Sequence, residues 1–273
     1  NPPYQGLKRT HQKFFNKLYS LIEDHGVMAS LQPAVTYFNK KETQHTDTVI
    51  EEMVNIITGN TCKVEIENPT IFENARIQLD LSITYIKKDQ NQNGVVDCIT
   101  YKDGKTYTNV LLEDISQTGI DPVVYAKIRK KYETYVGKHG SLEDKISKSV
   151  GKLKAHLGKI RGTRPTDSDF YTFIPLRENR KDYGPSTDST FGVGVTSEKE
   201  VNFVYAYLES YVARFGLALQ KFNQHIDSKE FALVPLVDFD RFYTDEDLGK
   251  MLTLTNAELE LIKQVISPLY AGR

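Results

Sequence analysis

Cysteine is scarce in this chain. There are two, Cys62 and Cys98, without metal-ligand spacing, so the sequence suggests neither a disulfide framework nor a zinc site, and free thiols in a reducing compartment are expected. No signal-peptide pattern is present, and the expected location is cytoplasmic. No apolar run approaches the roughly 18 residues of a membrane span, which excludes a membrane partner from the expectations. Net charge is nearly absent too: 35 Lys and Arg against 36 Asp and Glu leave -1, so any polyelectrolyte behaviour must come from a local concentration of charge. What is present is ordinary for a protein with a packed core, 39% apolar and 26% charged residues over 273 positions. That length exceeds the usual domain of about 100 to 200 residues, so two domains or one large one are expected.

The most informative stretch is Asn1-Pro2-Pro3-Tyr4. Average residue usage gives such a tetrad by chance in roughly one chain in a thousand of this length. Two successive prolines fix φ, remove two backbone N–H groups and push Asn1 into an extended conformation. What remains is a set of acceptors and a ring. The Asn1 amide oxygen and the Pro2 carbonyl can each take one hydrogen of a primary amine, while the Tyr4 ring lies against a flat heterocycle. An aromatic exocyclic amine is a poor nucleophile because its lone pair is delocalised. Holding both N–H bonds draws the nitrogen towards sp3 and aims the lone pair at an electrophile such as a methyl sulfonium. A proline-stiffened loop after a strand is the plainer reading of the same letters.

The motif, with Phe14-Phe15 and Gly26 to Pro33 after it, resembles the catalytic core of adenine-N6 DNA methyltransferases of the restriction-modification type. The resemblance implies S-adenosylmethionine as cofactor, double-stranded DNA as partner and a flipped adenine as substrate, with Asn1, Pro2 and Tyr4 as catalytic residues. It also assigns Phe72 to stacking on the far face of that base, opposite Tyr4, although a lone Phe under a loop serves equally well as core.

Apolar spacing predicts a helix over 10–24, ended by Gly26, a buried strand over 27–31 and a second helix over 46–58. Alternating runs at 62–67 and 78–87 read as further strands, making the second half of a doubly wound sheet. Asp89 to Asp97 places oxygen side chains and a glycine as a calcium loop does, but Thr100 stands where that loop needs an acid. A polar hairpin turn before a strand at 95–101 accounts for the same residues. Lys102 to Lys105 reads as another turn, and the sheet is expected to end there.

From Asp121 the composition changes. Asp121-Pro122 opens a helix, whose cations Lys127 to Lys131 suit a solvated face. The stretch from Lys145 to Arg164 then holds Lys145, Lys148, Lys152, Lys154, Lys159, Arg161 and Arg164 and no acid, the footprint of a phosphate-tracking surface. Strands are read at 170–176 and 191–195, the latter with Gly192-Val193-Gly194 as a strand edge, and a strand-like run at 231–239. Capping signatures at Ser197, Thr244 and Thr255 open helices, and a further helix carrying Arg214 and Lys221 runs to about Phe222.

The fold expectation is therefore α/β: a partial doubly wound (Rossmann-like) methyltransferase sheet over 1–119, followed by an α+β target-recognition domain over 120–273. No Phe-x-Gly-x-Gly turn and no ribose-holding acid after a strand occur, which in the family bind S-adenosylmethionine upstream of the catalytic motif. The expectation is accordingly a fragment inactive alone, its apolar faces at the first helix and strand open to a missing amino-terminal half or partner subunit. A DNA-recognition subunit without catalysis, or a protein or RNA amino-methyltransferase, are the alternatives, the latter disfavoured by the large basic appendage.

Overall fold

A computed structural model of the chain describes residues 10–34, 37, 48–67, 80–91, 94–100, 104–116, 118–147, 154–158, 174–175, 190–221, 226 and 228–266. Two compact units are present, Asn1–Tyr125 and Ala126–Arg273. No helix among the described residues is long and apolar enough to cross a membrane.

In the first unit the order is α1 (Thr10–Leu21), β1 (Val27–Pro33), α2 (Thr48–Thr58), β2 (Thr61–Glu67), β3 (Leu81–Lys87), β4 (Val95–Thr100) and β5 (Thr106–Leu111). The strands make one mixed α/β sheet in the order β1-β3-β2-β4-β5. Because β1 and β2 both pair antiparallel with β3, which lies between them, they run parallel to each other, and β4 runs parallel to β2. The carboxyl ends of β1, β2 and β4 therefore share one end of the sheet.

The sheet continues beyond the expected end. The strand β5 pairs antiparallel with β4 across a bulge between Val96 and Cys98. Only Val110 of its six residues is buried, so this edge strand lacks the alternating apolar signal on which a sequence reading depends.

One face of the sheet is buried: Met28, Ser30 and Gln32 of β1 stand beside Ser82, Thr84 and Ile86 of β3 and Cys62, Val64 and Ile66 of β2. Helices α1 and α2 pack together and against these strands, contributing Phe15 and then Ile50, Met53 and Ile57 to the core. Asn16 ties the two helices, its amide donating to the Val49 carbonyl at 2.9 Å and the Glu52 carboxylate at 2.8 Å. The opposite face carries Lys63 and Glu65, paired at 2.6 Å, with Tyr85 donating to Glu65 at 3.1 Å. Helix α1 stops at Leu21, before Gly26. Gly26 serves the turn into β1, where a Cβ would lie 2.8 Å from the Glu23 carbonyl oxygen.

The expected hairpin after β3 is corrected: β2 lies between β3 and β4 in the sheet, so the connection from β3 to β4 passes over β2. In it Asp89 accepts from the Thr61 amide at 2.9 Å and the Thr61 hydroxyl at 2.7 Å. These bonds, led by the one from the Thr61 amide, hold its pKa below the usual carboxylate value. Asp89 thus fastens this connection to the start of β2. Among the described residues no group of three or more His, Cys, Asp or Glu could hold a metal ion.

Helix α3 (Pro122–His139) starts on the Asp121 side chain, which accepts from the Val123 amide at 2.9 Å. The second unit continues with β6 (Ile146–Ser147), β7 (Lys154–Gly158), β8 (Ile174–Pro175), β9 (Thr190–Gly194), α4 (Glu198–Glu209), α5 (Tyr211–Ala218), α6 (Asp245–Met251) and α7 (Asn256–Val265). Its sheet is antiparallel in the order β6-β9-β7-β8. The Gly192-Val193-Gly194 strand is therefore interior, with neighbours on both sides, and not an edge.

The core of this unit gathers Tyr132 of α3, Val204 and Tyr205 of α4, and Phe215 of α5. Tyr132 donates to the Val212 carbonyl at 2.9 Å. Lys131, read as solvated, instead pairs with Glu258 at 2.6 Å. The expected strand over 231–239 is also corrected. Ser228–Leu233 is a 3-10 turn, and the extended residues after it make one isolated bridge, Ser141 with Pro235. Pro235 has no N–H to give a ladder.

Candidate functional site

Asn1, Pro2, Tyr4 and Phe72 lie outside the described residues, as do Lys148, Lys152, Lys159, Arg161 and Arg164. Lys145 is described in full, and Lys154 as the first residue of β7. Two arrangements built by the fold bear on function, one in each unit.

In the first unit the carboxyl end of β1 carries a buried polar cluster. The Gln32 amide donates to the Thr84 hydroxyl at 3.5 Å, Tyr37 and Thr84 share a short hydroxyl–hydroxyl bond, and the Ser82 hydroxyl donates to the Gln32 carbonyl at 3.3 Å. Burial drives the Tyr37 pKa well up, with the neighbouring Cys62 adding to it, so the phenol stays protonated. The Ser30 Oγ and the Gln32 Oε1 are buried without a hydrogen-bond partner among the described residues. Buried polar atoms are usually paired, which makes this polar cluster within the sheet's buried face unusual. A reading by apolar runs selects Val27 for the interior, yet Val27 is 67% exposed while Ser30 and Gln32 are buried. The available signal was the period-2 register shared with Met28.

In the second unit a cleft of about 510 Å³ opens between the β9–α4 turn and residues 236–240. Its walls are fixed by local bonding. Ser197 caps α4, accepting from the Glu200 amide at 3.3 Å, and Glu200 reaches back to the Thr196 amide at 2.9 Å and the Thr196 hydroxyl. The hydroxyl bond and then the amide bond lower the Glu200 pKa, so this carboxylate is committed to the turn. On the other wall, Tyr207 donates to the Pro235 carbonyl and Tyr135 to the Leu236 carbonyl, the latter at 3.3 Å. The Leu236 amide in turn donates to Gly140 at 3.2 Å.

Lys145, Lys199, Phe203, Phe239, Asp238 and Asp240 supply the chemistry of this cleft. The Lys199 ammonium lies 5.5 Å from the Phe203 ring centre, and Phe203 meets the exposed Phe242 edge-on at 4.7 Å. Asp240 is approached by the Tyr243 hydroxyl at 3.5 Å, whereas Asp238 makes no hydrogen bond among the described residues. Lys154 sits opposite Gly194 in the β7–β9 ladder. On the other side of that glycine, the Lys145 carbonyl lies 3.6 Å from where a Cβ would be. The backbones of two lysines of the acid-free stretch thus flank Gly194, Lys154 from β7 and Lys145 from the turn before β6.

Arg214 and Lys221 do not belong to this surface, since each is only 2% exposed. Burial lowers the Arg214 pKa to about 10, against the opposing pull of Tyr211 and Asp245. Sequence reasoning found Lys145 and missed Asp238, Asp240 and Lys199, because they reach the cleft from segments distant along the chain. No protein-family model matches this chain, and no curated protein matches it.

Proposed function

We propose that this chain carries the catalytic loop and the sequence reader of a DNA adenine-N6 methyltransferase. The observation that carries the proposal is Asn1-Pro2-Pro3-Tyr4, whose acceptors and ring suit one task, holding and polarising an aromatic primary amine. The order that follows supports it: α1, then two parallel strands with α2 between them in the chain, as in the later part of a doubly wound sheet. The basic stretch beginning at Lys145 supports the DNA half of the reading.

In this reading the Asn1 side-chain oxygen and the Pro2 carbonyl accept the two hydrogens of the adenine N6 amine. Tyr4 stacks on one face of the flipped base and Phe72 on the other. S-adenosylmethionine would supply the methyl group. Its glycine-rich turn and ribose-binding acid are absent from this sequence, and the Ser30 and Gln32 side chains beneath the sheet face are nearly sealed from solvent. The described residues therefore do not fit the cofactor. The part assigned to this chain is to bind the base, orient it and exclude water around the amine, with DNA held by the second unit.

The test is tritiated methyl transfer to DNA and to protein by the native polypeptide that carries these residues. Asn1→Ala should lower the single-turnover rate by about 10² to 10³, whereas Tyr4→Ala should mainly weaken capture of the base. A full single-turnover rate for Asn1→Ala would falsify the amine-holding mechanism, and label appearing in protein but not in DNA would reject the substrate.

A further inference from the structure

The cleft of the second unit is mixed in charge, and that mixture is informative. A surface that only tracked phosphate would have no use for exposed carboxylates, since each repels the polyanion. Yet Asp238 and Asp240 line the same cleft as Lys145. Glu200 is spent within its own turn. Asp238 is exposed and makes no hydrogen bond among the described residues, on a segment held in place by Tyr207 and Tyr135. A carboxylate is an acceptor-only group, so it favours a ligand edge bearing N–H donors and rejects one bearing carbonyl oxygens. In duplex DNA the major groove presents such donors as the exocyclic amines of cytosine and adenine.

We propose that this cleft reads one base of the DNA, with Asp238 accepting from the exocyclic amine of a cytosine or adenine while Lys145 holds a nearby phosphate. The proposal rests on the reading of the chain as a DNA methyltransferase, and deepens it by naming a specificity-determining residue. The cleft's volume, about 510 Å³, lies in the usual range for small-ligand sites, roughly 300 to 1,000 Å³. Phe203 and Phe239 add apolar surface beside the carboxylate, suited to the flat, weakly polar body of a base. A basic peptide would also satisfy Asp238. It would, however, enter beside Lys145, at the head of a stretch with seven cations and no acid. A polyanion whose bases carry amines meets both signs of charge favourably.

The experiment is selection of bound duplexes from a randomised pool by the native polypeptide, at two salt concentrations, with sequencing of the bound fraction. Asp238→Asn keeps the shape and adds a donor. It should reduce the preference for cytosine or adenine at one position by about tenfold or more, admitting bases that present acceptors. Lys145→Gln should weaken all duplexes by a similar factor and lower the salt slope by about one. Asp240→Asn tests which of the two carboxylates reads the base, since Asp240 is already approached by the Tyr243 hydroxyl at 3.5 Å.

Circular dichroism and melting curves matching the parent would confirm that the exposed substitution leaves the fold intact. A parent that selects a site, with an Asp238→Asn profile superimposable on it, overturns the base-reading assignment and leaves the methyl-transfer reading standing. A shift produced by Asp240→Asn instead overturns the choice of residue. A parent that binds no DNA rejects the functional reading and this inference together.

Discussion

Cys62 and Cys98 lie on adjacent parallel strands of the first sheet, both buried and both free thiols. Burial pushes the Cys62 thiol up to about 12, with repulsion from Asp97 and Cys98 adding to the rise. Since the thiolate is the reactive form, Cys62 should stay inert to Ellman's reagent at pH 8 in the folded protein and react promptly once denaturant opens the sheet. The same shift has a sign for stability. The unfolded thiol ionises near its ordinary value, so its contribution is complete below about pH 8.5 and falls as pH rises towards 12. Denaturation midpoints between pH 7 and 10 check this, and prompt labelling of the native protein would count against it. The thiols were readable from the sequence because spacing alone excluded other uses. The buried Gln32, Thr84 and Tyr37 cluster was not, because polar letters in a strand ordinarily mark its wet face.

At the scale of elements, the helices were legible where a capping residue marked their start. Thr244 and Thr255 each close a capping box on Asp247 and Glu258, and α6 and α7 begin where those letters predict. Elements fixed by distant partners were not legible. The strand β5 is defined by its pairing with β4, and residues 234–236 are held by tyrosines and by Gly140.

Two helical glycines show how far environment overrides propensity. In α3, Gly137 has nothing within 4 Å of a Cβ position, so Gly137→Ala should gain the ordinary helix preference, about 0.5 to 1 kcal/mol. In α5, a Cβ on Gly216 would lie 2.7 Å from the Leu233 carbonyl oxygen and 3.1 Å from the Val234 Cα. Those are backbone atoms that cannot swing aside. Overpacking of that kind costs about 1 to 3 kcal/mol, which exceeds the propensity gain, so Gly216→Ala should destabilise. Urea titrations of the two variants should move in opposite directions, and a stabilised Gly216→Ala would show that the α5 contact is softer than its geometry.

For the molecule as a whole, the balance of charge argues against indiscriminate attraction to DNA. With -1 net charge at pH 7, long-range steering is weak, and affinity must come from the place where cations gather. That place begins at Lys145 and continues through β7, whose first residue is Lys154. Replacing Lys152, Lys154 and Lys159 together by Gln removes three cations from an acid-free stretch without touching Asp238. If all three contact phosphate, the slope of log K against log salt should fall by about 2.7, near 0.9 per contact. The loss of affinity should then be large at low salt and small at high salt, and about equal for every duplex sequence. Fluorescence anisotropy with two unrelated duplexes over a salt series measures both quantities. An unchanged slope would place the phosphate contacts elsewhere. A change confined to one duplex would mean that these lysines read bases, a role that a flexible ammonium performs less selectively than an Asp acceptor on a wall held by tyrosines.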